Sequence, residues 1–378
     1  MMNTAFLQQQ IGTHMNTKYI LKKTLVIASL LLTSFFFSAN PVVAQSDKVT
    51  WEFAQHWSGK SLLGYPTYRL AEIVDSISGG NFEIKLIDKK AHGNTKAIFD
   101  FVKEGKYDMG HSASNFWKKK DQDTVFFSAV PFGMVTPELY SWFYEGGGLE
   151  LMNKVYNKHG IMAFPGGNSG HQMIGWFNRE IRTVEDLKGL KMRLPGLAGQ
   201  VMEGLGVEII NPPVSELKEA LATKKLDAVE LVGPAIDLGL GFPEVSKYYY
   251  VGWHSPSSEM MFMVNPDSYK KLSKKNQFIL KTAMRLAAYD TFTKIVSENG
   301  KKMQSLLTDF PKLQIRSLPN KVLRALKQEH ARLTTELADK SPDGLTRQII
   351  DSMQQHLEQQ RLWTRFSDLA YLSNAGGL

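Results

Sequence analysis

Apolar residues along this chain follow two periods, and the periods take turns. "KVTWEFAQHW" alternates as a strand does. "SLLGYPTYRLAEIVDSIS" then carries its apolar positions at helical spacing and stops at Gly79-Gly80, and "NFEIKLI" alternates again. The same order returns at 97–114, where "AIFDFVKEG" predicts a helix closed by Gly105 and "YDMGH" the strand after it. Near 190, Leu190, Met192 and Leu194 alternate with Lys191 and Arg193 before Pro195-Gly196, which neither extends a ladder nor resists a turn. Strands alternating with helices predict parallel βα units and an α/β fold. From about residue 267 only the helical period is left. "SYKKLSKKNQFILKTAMRLAAYDTFTKIVSENGKKMQSLL", "PNKVLRALKQEHARLTTELADKS" and "DGLTRQIIDSMQQHLEQQRLWTRFSDLAYL" read as long helices with no strand pattern among them.

Two stretches echo each other. "AIFDFVKEGKYDMGH" (97–111) set over "ELKEALATKKLDAVE" (216–230) aligns helix with helix and turn with turn, pairing Asp108 with Asp227 and His111 with Glu230. The echo predicts two similarly wound α/β lobes with these polar residues at matching strand ends. That is where open α/β sheets bind ligands. The expected organisation is a leader over 1–44, a first lobe over 45–165 with part of 255–310 packing back on it, a second lobe over 166–254, and a helical region over 311–378.

The leader rests on its own pattern. Lys22-Lys23, the apolar run "TLVIASLLLTSFFF" and small residues before Gln45 make a secretory signal with cleavage after Ala44. Met15 is an alternative start. The run is shorter than the roughly 20 residues of a spanning helix. A soluble, exported protein of a bacterial periplasm is expected. The net charge of +8 is spread along the chain, often beside acids, with no basic segment interleaved with aromatics to suggest nucleic acid. With no cysteine in 378 residues, disulfides, thiolate metal sites and a cysteine nucleophile are all excluded.

Several catalytic patterns can be tested. "GNSGH" (167–171) has His171 where a nucleophile elbow needs glycine. "GGG" (146–148) follows no strand and lacks a P-loop lysine, so it reads as the opening of a helix. The histidines are scattered without metal-ligand spacing. What is left is polar residues in apolar settings. Glu230 lies between Val229 and Leu231, and a buried carboxylate is costly unless paired or cation-bound. It is either a structural ion-pair member or a binding residue. Arg193 is either a solvated strand residue or a carboxylate receptor. Gln172 either ties down its own loop or faces a ligand, and Trp176 and Trp253 are core or pocket wall.

"KMRLPGLAGQVMEGLGV", "LDAVELVGPAIDLGLGF", "KYYYVGWHSP", "YDMGHSASNFW", "VPFGM" and "GWFNREI" resemble the solute-binding proteins of tripartite ATP-independent periplasmic (TRAP) transporters, most closely the branch that binds 2-oxo acids such as pyruvate. The likeness extends from about Trp51 to about Leu372. It implies two α/β lobes closing on a carboxylate, no covalent chemistry, and delivery to a membrane permease. It puts the carboxylate receptor on Arg193, and a bridging Na⁺ (or Ca²⁺) on Gln172, Glu230 and the main chain of Leu231. Asn115 and Trp253 join the substrate side and Ser255 the metal side. Two positions depart from the branch: Asn115 stands for an expected aromatic and Ser255 for an expected acid. The branch also dimerises by exchanging its C-terminal helix, here carrying Ile350, Met353, Leu357, Trp363 and Phe366 on one face. Rival expectations are a 2-hydroxy acid receptor using calcium, a secreted metal-assisted hydrolase with Glu230 as base, and an interaction protein working through its helical C-terminus.

Overall fold

The computed structural model describes residues 48 to 374. The leader expected over 1–44 lies outside the described residues. Among the described residues eleven strands form two sheets. Those of the first part are β1 (Val49–Gln55), β2 (Phe82–Ile87), β3 (Met109–Ala113) and β4 (Met162–Asn168). Then come β5 (Gly175–Phe177), β6 (Lys191–Arg193), β7 (Glu208–Ile209), β8 (Ala228–Val229), β9 (Tyr248–Tyr250), β10 (Glu259–Val264) and β11 (Gln314–Arg316). The first sheet has the order β2-β1-β3-β10-β4 and the second β11-β9-β5-β8-β6-β7.

The two sheets are wound alike. β1 lies parallel between β2 and β3, and β6 parallel between β7 and β8. Next to β3 comes the antiparallel β10, and next to β8 the antiparallel β5. Each of these two strands has crossed over from the other lobe, through 169–174 for β5 and 251–258 for β10. β10 is buried along its whole length, as its apolar run "MMFMV" requires of a strand covered on both faces.

Asp108 and Asp227 explain why the echo exists. The Asp108 amide donates to the Glu52 carbonyl while its carboxylate accepts from the Glu52 amide at 2.8 Å. The Asp227 amide donates to the Lys191 carbonyl while its carboxylate accepts from the Lys191 amide at 3.0 Å. Each aspartate thus staples the start of one strand to the middle strand of its parallel trio, β3 to β1 and β8 to β6. Neither job needs burial of the charge, so the residue type repeats where the surrounding apolar residues have drifted.

A 36-residue helix, Lys274–Asp309, runs about 54 Å at 1.5 Å per residue. Its first half packs Ile279, Leu280, Ala283 and Met284 into the core of the first lobe, and Leu306 reaches the core of the second. The C-terminal region departs from expectation in two ways. It holds a strand, β11, paired in parallel with β9; three residues are too few to display a period. Its last long helix, Leu345–Phe366, is also divided. Leu345, Ile349 and Met353 are buried in the first-lobe core with Ile350 and Leu357 packed against it, whereas Leu362, Trp363 and Phe366 are exposed. Among the described residues no helix is long and apolar enough to cross a membrane.

Candidate functional site

The residues just beyond the carboxyl ends of the central parallel strands come together around one cavity of about 240 Å³. His56 and Trp57 follow β1, Asn115 and Phe116 follow β3, Arg193 ends β6, and Glu230 and Leu231 follow β8. Gln172, from the first crossover, and His254, from the second, complete its polar wall. Among the lining residues Arg193 is the only lysine or arginine and Glu230 the only carboxylate.

Arg193 and Glu230 are a pair. Arg193 Nη1 donates to Glu230 Oε2 at 2.8 Å and also to the Glu230 main-chain carbonyl. Their side chains are 14% and 4% exposed, so the carboxylate is neutralised where water cannot do it. His254 Nε2 lies 3.4 Å from the other oxygen, Oε1. Among the described residues no hydrogen bond engages Arg193 Nε or Nη2. The planar fork can therefore meet a second carboxylate while its first nitrogen stays on Glu230.

Gln172 donates Nε2 to Ser169 Oγ at 2.8 Å, leaving its amide oxygen as the free acceptor. Its main-chain amide donates to the Ser255 carbonyl at 2.9 Å, tying one crossover to the other. Ser169 Oγ accepts that bond and donates to the Gly170 carbonyl at 3.5 Å, and among the described residues no hydrogen bond links it to His171. The approach of the two crossovers requires Gly252, where a Cβ would sit 1.9 Å from the Gln172 carbonyl. Asn115 accepts from Ser128 Oγ at 3.3 Å and lies beside Gly196, which opens the helix after Arg193.

Two expected site residues lie elsewhere. Trp253 does not line the cavity: its indole stacks on Phe132 with ring centroids 5.2 Å apart and belongs to the second-lobe core. Ser255 also stays outside, its hydroxyl donating to the Ser257 carbonyl at 3.2 Å. In their place stand His56, Trp57 and Phe116, rings packed with centroids 4.5 to 6.1 Å apart. Desolvation keeps His56 neutral, its pKa lowered to about 4. Strand-end position was the available signal for these three, but it exists only once the end of each strand is known to the residue.

The donors suit a hard cation. Among the described residues no cluster of three or more His, Asp or Glu could hold a metal ion. The cavity offers the Glu230 carboxylate, the free amide oxygen of Gln172 and main-chain carbonyls, oxygen donors of the kind that suit Na⁺ or Ca²⁺.

A family model described as "Bacterial extracellular solute-binding protein, family 7" (DctP) matches residues 53–341. The chain belongs to that family. A relative from Nostoc sp., named a monocarboxylate 2-oxoacid-binding periplasmic protein, is 33% identical over 361 residues, 94% of this chain and 96% of the relative. Two solved TRAP periplasmic solute-binding proteins are closer in sequence. One, from Colwellia psychrerythraea with bound calcium and pyruvate, shares 47% identity at TM-score 0.84, covering 86% of this chain and 99% of the other. The second, from Pseudoalteromonas atlantica with bound sodium and pyruvate, shares 45% at TM-score 0.82, with the same coverage. The resemblance to TRAP solute-binding proteins and the two-lobed α/β fold are thus borne out. The family serves transport by binding a solute, and the hydrolase reading falls.

Proposed function

We propose that this family-7 protein captures a short 2-oxo monocarboxylate, pyruvate being the type, together with Na⁺ or Ca²⁺, and delivers it to a TRAP permease. The observation that carries this reading is the unengaged edge of Arg193 facing a cavity whose only carboxylate is already neutralised. A monocarboxylate on Nε and Nη2 takes two more of the guanidinium's five N–H groups. A second carboxylate on the ligand would meet no cation of the protein and would be desolvated without compensation. The cavity is smaller than the roughly 300–1,000 Å³ typical of small-molecule pockets, which favours a ligand of few heavy atoms.

Gln172, Glu230 and the Leu231 carbonyl are the residues that would hold the cation. It would screen Glu230 from the ligand's carboxylate, turning repulsion between two anions into shared attraction. Asn115, beside Gly196, would meet the rest of the ligand together with the His56–Trp57–Phe116 wall. The chain is then read as an exported protein with residues 1–44 as its leader, two lobes, and a dimer built through the exposed end of its last helices. Trp363 and Phe366 are 68% and 71% exposed, an apolar end that a second copy would cover. Mass spectrometry of small molecules released from purified protein, with elemental analysis of the same sample, tests the assignment. A 2-oxo acid with stoichiometric sodium or calcium is expected, and a dicarboxylate or a metal-free ligand would overturn it.

A further inference from the structure

The turn after Glu230 contains a buried carboxylate that touches neither the cavity nor any cationic group. Asp237 is fully buried. Its Oδ1 accepts from the amides of Val232 at 3.2 Å and Gly233 at 3.1 Å. Its Oδ2 accepts from Trp176 Nε1 at 2.9 Å, with the Tyr249 hydroxyl at 3.5 Å. A carboxylate in such a place costs several kcal/mol unless every lone pair is used, yet an asparagine or serine could cap the same turn without charge.

The peptide it grips explains why an acid stands there. The Val232 amide belongs to the same planar unit as the Leu231 carbonyl, and a trans peptide points its N–H and C=O to opposite sides. Holding the N–H on Asp237 therefore aims the Leu231 oxygen away from the core. Leu231 lines the cavity. Of three consecutive carbonyls here, Glu230 O is taken by Arg193 and Val232 O by the Met173 amide at 3.1 Å. Of the three, Leu231 O alone has no donor among the described residues.

We propose that Asp237 is a positioning residue for the cation, acting through the Leu231–Val232 peptide, and this rests on the cation reading above. Its contacts fix the direction of the one carbonyl in the turn left free to bind an ion. Partners of this kind are worth about 10- to 100-fold in metal affinity.

The test is Asp237→Asn in the full mature chain, with NaCl and CaCl₂ titrated calorimetrically at saturating pyruvate. The half-saturating cation concentration is expected to rise roughly tenfold or more, while pyruvate affinity at saturating cation stays within about threefold of wild type. Pyruvate binding weakened equally at every cation concentration, or an unshifted cation titration, would overturn the proposal and leave Asp237 a purely structural acid. Trp176→Phe is the second variant. It removes the 2.9 Å donor to Oδ2 and keeps a ring against Tyr249. It should shift the cation titration in the same direction by roughly threefold, and an unchanged titration there would overturn the proposal if Asp237→Asn fails to fold. Wild-type protein that binds pyruvate undiminished in sodium-free, chelator-treated buffer would instead sink the cation reading, and this inference with it.

Discussion

Arg193→Lys separates the guanidinium's geometry from its charge. Arginine reaches two acceptors on Glu230 with one nitrogen and keeps Nε and Nη2 for a ligand. A lysine ammonium has three donors at one point and cannot stay on Glu230 while presenting two parallel N–H groups to a carboxylate. The variant therefore loses about one charge-assisted hydrogen bond to the ligand, about 1.5–3 kcal/mol, which is a roughly 10- to 150-fold rise in Kd. The fold should survive, because the cation beside Glu230 is retained and β6 remains buried on one side at Met192. Isothermal calorimetry with pyruvate at saturating sodium reads the change, and a thermal melt checks the fold. Equal affinity in the two proteins would refute the reasoning and return Arg193 to a structural partner of Glu230.

The other expectations follow from particular contacts. Glu230→Gln should abolish the cation dependence of binding along with most of the affinity, measured by the same titration in chelator-treated buffer; an affinity that still rises with sodium would place the ion elsewhere. Glu259 is buried with its carboxylate on the amides of Gly166 and Gly167 and on Asn168 Nδ2, and desolvation pushes its pKa up to about 7. A folded pKa above the unfolded value means stability contributed at low pH and lost as pH rises through 7. Between pH 5 and 8 thermal melts should therefore shift in favour of Glu259→Gln relative to wild type by on the order of 3 kcal/mol; parallel melting curves would contradict this. The double substitution Trp363→Asp and Phe366→Asp should turn a dimer into a monomer in light scattering without changing pyruvate affinity, and a wild-type monomer at micromolar concentration would rule out that assembly.

Much of the frame was legible because it is local. Gly79, with φ of 64°, closes its helix where the sequence pattern ends it. The Pro195-Gly196 stop holds Arg193 at the last position of β6. Asp108 and Asp227 repeat because each makes the same bonds to a neighbouring strand. The misplacements share a cause, namely that neighbours in sequence face opposite ways in an irregular crossover. In 253–255, His254 turns to Glu230 while Trp253 turns to Phe132 and Ser255 to Ser257. No period exists in such a segment from which to read a direction. The aromatic wall was hidden for a related reason, since His56 and Trp57 extend the alternation of β1 and look like more strand. The last helix misleads in another way. Its apolar face is continuous in sequence, but the core of the first lobe covers only the N-terminal part, to about Leu357.

The position of β10 has a consequence for how the chain is made. It pairs with β3 on one side and β4 on the other, so β4 has no neighbour in the first sheet until Val264 has been synthesised. By then the whole stretch that forms β5 to β9 has already emerged. Order of synthesis and order of assembly are therefore different, and the amino-terminal half cannot reach its final structure early. Closing such distant pairings is slow compared with forming local helices. If the chain is exported unfolded behind the proposed leader, that delay would serve it, because β10 is complete only when nearly 70% of the chain exists.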